Sequence, residues 1–202
     1  MERQLIISIG REFGSGGHVI GEALAKNFSL PFYDNNLLEE IAKNKGVYVE
    51  DLKKYDEHPK ASFFTRTVRG FSSSPHENTA HLQFDQLRKM ASDGESFVIV
   101  GRCAEDKLAS YEGLISIFIT GDQETKLKRV MEVYDQDAAT ALSTMKKMDY
   151  NRKSYHNYFC KGKWGDSRFY DMCINSSRLG IENTIKILTD YIKCRQEVLN
   201  TK

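Results

Sequence analysis

The sequence has no excess of either charge. Its 29 lysines and arginines face 28 aspartates and glutamates, for a formal net charge of +1. That balance excludes a generally basic coat for nucleic-acid polymers, though not a local basic patch. Long apolar runs are also missing. The longest, residues 5–9 and 97–100, fall far short of the roughly 20 residues that cross a bilayer, so no membrane partner is expected. Cysteine pairing is absent too: Cys103, Cys160, Cys173 and Cys194 show no C-x-x-C spacing, and reduced thiols are expected rather than a disulfide or zinc framework. The five histidines lack metal-ligand spacing, so no protein-held metal is expected. There is no internal repeat and no low-complexity tract beyond the serine run at 72–74. Met1-Glu2-Arg3-Gln4 leads directly into a strand-like run without signal-peptide architecture, which makes a cytoplasmic location the expectation.

What is present is enough for one core with a small appendage: 202 residues, 40% hydrophobic. Residues 4–9, 97–100, 114–120 and 172–175 read as β-rich runs, with 31–33 a weaker fifth. Most are apolar on both faces, which suits a parallel sheet covered by helices on both sides. Between them lie helical stripes: Val19, Ile20, Ala23, Leu24 and Phe28; then Leu127, Val130, Met131 and Tyr134 behind a capping Asp122; then Ile181, Ile185, Leu188 and Ile192. This alternation predicts a single α/β doubly wound domain. Residues 35–95 show no convincing strand and read as a helical insertion on the substrate side, with a helix over about 79–92. Residues 136–163 read as one or two polar, basic helices within a mobile cover.

The strongest chemical signal is Gly10-Arg11-Glu12-Phe13-Gly14-Ser15-Gly16-Gly17-His18, directly after the first strand and before the first amphipathic helix. Glycines allow the tight turns and positive φ angles that point backbone N–H groups at an anion. A helix N-terminus just beyond adds unpaired donors and a favourable dipole. Together they predict a phosphate seat. The loop departs from G-x-x-x-x-G-K-[ST]: with one inserted residue allowed, Gly17 stands where the lysine belongs, and His18 and Val19 follow with no hydroxyl for magnesium. A cation must therefore come from elsewhere, with Arg11 the first candidate and His18 the second.

These pieces resemble the nucleoside monophosphate kinases of the P-loop superfamily, and most closely the cytidylate kinase-like family. The resemblance rests on the loop, on Leu30-Pro31-Phe32-Tyr33-Asp34, on Phe97-Val98-Ile99-Val100-Gly101-Arg102-Cys103-Ala104, and on Ile117-Phe118-Ile119-Thr120 with its basic helix. Asp149-Tyr150-Asn151-Arg152-Lys153, Trp164-Gly165-Asp166 and residues 170–176 complete it. It implies a three-layer P-loop NTPase-type fold, a doubly wound parallel five-stranded sheet with a helical acceptor-binding insertion (35–95) and a lid (123–163). It also implies ATP and Mg2+ as cofactors and small nucleotides as partners, with CMP or dCMP as acceptor; a homo-oligomer is compatible with it.

The resemblance further implies roles. Gly14, Ser15, Gly16, Gly17 and His18 would wrap the donor phosphates, and Arg102 would grip the acceptor phosphate as a bidentate guanidinium. Arg129 and Arg152 would neutralise charge as the lid closes, and Asp34 would place metal or acceptor, its alternative being an ordinary helix cap. Asp149 would contact the acceptor sugar or orient Arg152, its alternative being a local ion pair. Arg66 and Arg69 could meet the acceptor phosphate. The lid segment carries nine basic and five acidic residues, an excess suited to bringing two phosphorylated molecules together. Two other readings stay open: a nucleotide-binding regulatory module that has lost transfer, favoured by the missing lysine, and a kinase for another small acceptor.

Overall fold

The structure, a computed structural model, describes residues 3–34, 36–45, 50, 67–68, 71–72 and 75–201. Along the chain, β1 (Ile6–Arg11), α1 (Gly17–Asn27), β2 (Phe32–Tyr33) and α2 (Leu37–Lys45) come first. A short hairpin of β3 (Thr67–Val68) and β4 (Phe71–Ser72) precedes α3 (Pro75–Ser92), β5 (Phe97–Val100) and α4 (Ala104–Lys107). Then follow β6 (Leu114–Thr120), α5 (Gln123–Tyr134), α6 (Ala138–Phe159), a 3-10 turn at Ser167–Phe169, β7 (Met172–Asn175) and α7 (Ser176–Asn200).

Every residue of β1 is buried. A strand apolar on both faces must lie inside a sheet that helices cover twice over, and β1 is the central strand of the order β2-β5-β1-β6-β7, all pairs parallel. Alternate side chains go to opposite layers. Ile7 and Ile9 join Val98, Val100, Ile115 and Ile117 against Ile20 and Leu24 of α1 and Leu188 and Ile192 of α7. Ile6, Phe97 and Ile99 face the other way, onto Leu37 and Ile41 of α2 and Leu87 and Met90 of α3. The result is a three-layer, doubly wound α/β sheet, as the sequence predicts. Its carboxyl edge, where β1 and β5 both end, is the edge at which such sheets bind ligands.

Four local differences have physical causes. β1 extends through Arg11, because its parallel register with β6 continues to Gly10↔Phe118 and Arg11↔Ile119. The β3–β4 hairpin lies where no strand is expected, since two-residue strands are too short to show a period. Asp122 occupies the N-cap position of α5 but makes no side-chain cap bond; its carboxylate accepts Asn175 Nδ2 at 2.9 Å and lies 3.2 Å from Arg178 Nε. Val19, expected on the apolar stripe of α1, is 54% exposed at the cleft described below. The polar stretch 136–163 contains one long helix, α6. Arg66 and Arg69 lie outside the described residues. No helix among those described is long and apolar enough to cross a membrane.

Candidate active site

Between β1 and α1 the backbone folds into a compact nest held from four directions. Gly14 and Gly16 have φ of 79° and 83°, and Gly16 is the N-cap of α1. The first turn of α1 leaves the N–H groups of Gly17, His18 and Val19 without intrahelical acceptors. From α6, Asp149 Oδ1 accepts Phe13 N–H at 2.6 Å. From α5, Arg129 Nη1 donates to Gly14 O at 2.5 Å. From α7, Ser176 Oγ donates to Ser15 O at 2.6 Å. Glu12 ties the loop to the end of β6: its Oε2 accepts Thr120 Oγ1 and Lys126 Nζ, both at 2.7 Å, and Gly121 N at 3.1 Å. The carbonyls that would repel an anion are thus drawn into the protein, and a favourable helix dipole is aimed outward.

The nest opens into a cleft of about 460 Å³ whose walls include Arg11, Gly14, Gly16, Gly17, His18, Asp34, Arg129 and Arg152. Eight of the eleven site residues expected from the sequence therefore meet in one place. Asp34 stands at the end of β2, with Oδ2 3.0 Å from His18 Nδ1 and Oδ1 3.9 Å from Arg11 Nη2. That Oδ1 is buried and has no hydrogen-bond partner among the described residues. Asp34 does not cap α2 with its side chain; Asn36 turns back onto the Asp34 amide instead. Burial holds the Arg129 pKa below its ordinary value. The Arg152 guanidinium lies 5.4 Å from the centre of the Phe13 ring, which in turn stacks on Tyr134 at 5.5 Å.

Three expected residues sit elsewhere. Ser15 is fully buried: its hydroxyl and its amide both turn onto Glu12 O, at 2.8 and 3.3 Å, so neither faces the cleft. Asp149 lies behind the loop on the Phe13 amide. Arg102, 1% exposed, lines an adjoining cavity of about 20 Å³ together with Arg11 and Arg152, which link it to the cleft. Its turn is contorted, with Gly101, Arg102 and Cys103 at φ 77°, 61° and 55°. Two consecutive non-glycine residues in the left-handed region store roughly 1–3 kcal/mol each. The turn holds the Arg102 side chain in a cavity wall shared with Arg152, Tyr155 and His156 of α6.

Sequence reasoning missed Glu12, Lys126 and Ser176, whose partners lie more than a hundred residues away. It also missed a polar cluster at the end of α6. There His156 Nε2 lies 2.6 Å from Glu105 Oε1, beside Cys160. Burial disfavours the imidazolium, yet Cys160 and Glu105 together raise His156 to about 10. The Cys103 thiol bonds to Cys160 and, against burial and with help from His156, brings Cys160 to about 7. Burial pushes Cys103 up. Only the His-x-x-x-Cys spacing, from the last turn of α6 to its C-cap Cys160, could have signalled this cluster in advance.

Asp149 carries a testable charge effect. Burial raises its pKa, opposed by the Phe13 N–H, Lys126 and Arg152. A carboxyl raised on folding contributes most to stability below its unfolded pKa, and that contribution is lost as pH rises through its folded pKa. Asp149→Asn keeps an oxygen for Phe13 N–H and removes the charge. Its melting temperature relative to wild type is expected to climb between about pH 3 and about pH 7. Asp149→Ala strands a buried donor and is expected to lose about 1–3 kcal/mol at every pH. Thermal melts across that range check both; a pH-independent Asp149→Asn difference would refute the burial effect.

Comparison with known proteins bears on the family and the fold. The cytidylate kinase of Methanococcus aeolicus is 25% identical over 188 residues, spanning 91% of this chain and 95% of that protein. The crystal structure of an uncharacterized protein from Eubacterium ventriosum is 42% identical, with TM-score 0.76, and covers 94% of this chain and 99% of its own. In fold alone the chain is similar to a gluconokinase from Sinorhizobium meliloti (TM-score 0.56, 14% identity, 100% and 98% of the two chains covered). The same holds for shikimate kinase from Bacteroides thetaiotaomicron (TM-score 0.55, 14% identity, 94% and 98%). Its five-stranded parallel sheet is thus that of the P-loop kinases. With residues 6–178 matching the family's sequence pattern from the first strand into the last helix, the chain belongs to the cytidylate kinase-like family.

Proposed function

We propose that the protein transfers the terminal phosphoryl group of ATP to a nucleoside monophosphate, CMP or dCMP foremost. One observation carries this reading: the loop amides, three guanidinium groups and an orphaned carboxylate oxygen all line one cleft. Phosphoryl transfer needs positioning and neutralisation of phosphate charge more than covalent chemistry. The amides at Gly16, Gly17 and His18 seat the donor phosphates. Arg129, tied to the Gly14 carbonyl, stands where a loop lysine would otherwise supply charge, with Arg11 and Arg152 across the cleft. Asp34 fits Mg2+, since its buried Oδ1 has no hydrogen-bond partner among the described residues and lies in the wall of the cleft. When bound, the ion supplies charge neutralisation at the donor phosphates.

Arg102 holds the acceptor phosphate. Its cavity of about 20 Å³ accommodates a water at most, so acceptor entry requires α6, which contributes Arg152, Tyr155 and His156 to the wall, to move off the end of β5. Residues 123–163 therefore act as a lid.

A coupled assay of ADP release across CMP, dCMP, UMP, AMP and non-nucleotide acceptors tests this reading. Turnover is expected with the cytidine monophosphates first. Background rates with every acceptor would overturn it. A second reading, a nucleotide-binding module without transfer, is favoured by the commitment of Lys126 to Glu12 and of Arg129 to Gly14. Calorimetry showing tight ATP binding without turnover would establish that alternative. Turnover on a non-nucleotide alone would identify a kinase of different acceptor class.

A further inference from the structure

We propose that Glu105, His156 and Cys160 form a binding site for a divalent cation of the zinc class, with the fourth position open to water. The carboxylate oxygen, imidazole nitrogen and thiol sulfur of the first three lie within 4.8 Å of one another. Tetrahedral zinc with bonds of about 2.0–2.3 Å separates its ligands by about 3.3–3.8 Å, so only small rotations, chiefly opening the 2.6 Å His156–Glu105 contact, admit the ion.

Three features favour an ion over a plain buried ion pair. The donor set mixes nitrogen, sulfur and oxygen, which suits a borderline-soft cation. His156, 6% exposed, buries its Nδ1 with no hydrogen-bond partner among the described residues, so the imidazole reaches the cluster through Nε2 alone. A cavity of about 140 Å³ walled by Glu105, His156 and Cys160 provides an entry path. The Cys103 thiol, bonded to Cys160, comes from the contorted turn that positions Arg102. A bound cation would therefore clamp the C-terminal end of α6 to that turn. Binding forms metal–ligand bonds at the Cys160 thiolate, the His156 imidazole and the Glu105 carboxylate and releases the thiol and imidazolium protons to solvent; no electron is transferred.

The test uses the full chain, purified in chelator and titrated with Co2+ and then Zn2+. One equivalent of Co2+ is expected to give visible bands of tetrahedral geometry with a sulfur-to-cobalt charge-transfer band, both bleached by Zn2+. Cys160→Ser and Glu105→Gln are expected to weaken Co2+ binding at least about 100-fold, beyond the effect of losing an outer-sphere partner. Cys194→Ser, altering an exposed thiol on α7, should leave it unchanged. In the wild-type chain, independent of whether variants fold, Zn2+ should slow alkylation of Cys160, mapped by peptide mass, and spare Cys194. The proposal fails if Co2+ gives no charge-transfer band at one equivalent, if the band survives Cys160→Ser, or if Zn2+ leaves Cys160 alkylation unchanged.

Discussion

Arg102→Ala is expected to reduce kcat/KM for the acceptor by about 10²–10³-fold, the usual consequence of removing one oriented donor from developing or transferred charge, while KM for ATP changes little. Arg102 is nearly fully buried and reaches the site only through the cavity shared with Arg11 and Arg152. Its planar fork is suited to a phosphate in a way that an ammonium is not, so Arg102→Lys should recover little activity. The backbone offers an internal control. Because residue 102 sits at φ 61°, Arg102→Gly relieves about 1–2 kcal/mol of left-handed strain that Arg102→Ala retains. The glycine variant should melt higher than the alanine variant and yet be equally inactive. Steady-state kinetics in both substrates, with melts of all three variants, decide the matter. A loss confined to KM for ATP, or activity that follows stability from alanine to glycine, would remove Arg102 from the acceptor site.

Much of this site was legible because its parts are local in sequence. Strands buried on both faces read as unbroken apolar runs, and β5, β6 and β7 fall where those runs place them. The glycine pattern and the adjoining helix start announce a nest at positions 10–18. What sequence could not show is how the nest is held. Glu12 and Lys126 meet across 114 residues, Phe13 and Asp149 across 136, and Ser15 and Ser176 across 161. No periodicity encodes such pairs. The same holds for Ser15, whose hydroxyl reads as a phosphate ligand in a glycine-rich string but is claimed by the turn it sits in. Asp122 shows the converse: an acidic residue at an N-cap position has no cap bond because Asn175 and Arg178, brought by the last strand and helix, engage it first. The Glu105–His156–Cys160 cluster is half local. The four-residue spacing at the end of α6 was visible, and the carboxylate from α4 was not.

Gly16→Ala is expected to destabilise the fold by about 1–3 kcal/mol and to remove most ATP affinity. Two separable effects act at this residue. Its φ of 83° is a left-handed conformation worth about 1–2 kcal/mol to an alanine. A Cβ there would also meet Ile181 Cδ1, the far end of a flexible side chain that must turn aside, at a cost of at most about 1 kcal/mol. Ile181 follows Gly180, whose φ of 75° and ψ of 167° break α7 and turn the side chain onto the loop. Ile181→Ala in the Gly16→Ala background should therefore recover the packing part of the loss and leave the backbone part. Phosphate binding depends on the direction of the amides at residues 16–18, and losing even one charge-assisted bond there, about 1.5–3 kcal/mol, lowers ATP affinity about 10–100-fold. Because that direction is set by the left-handed backbone, stability should partly return in the double variant while ATP affinity should not. Melts and ATP calorimetry on wild type, both single variants and the double variant complete the cycle. Full recovery of ATP binding in the double variant would mean that the amides of this loop do not form the donor seat.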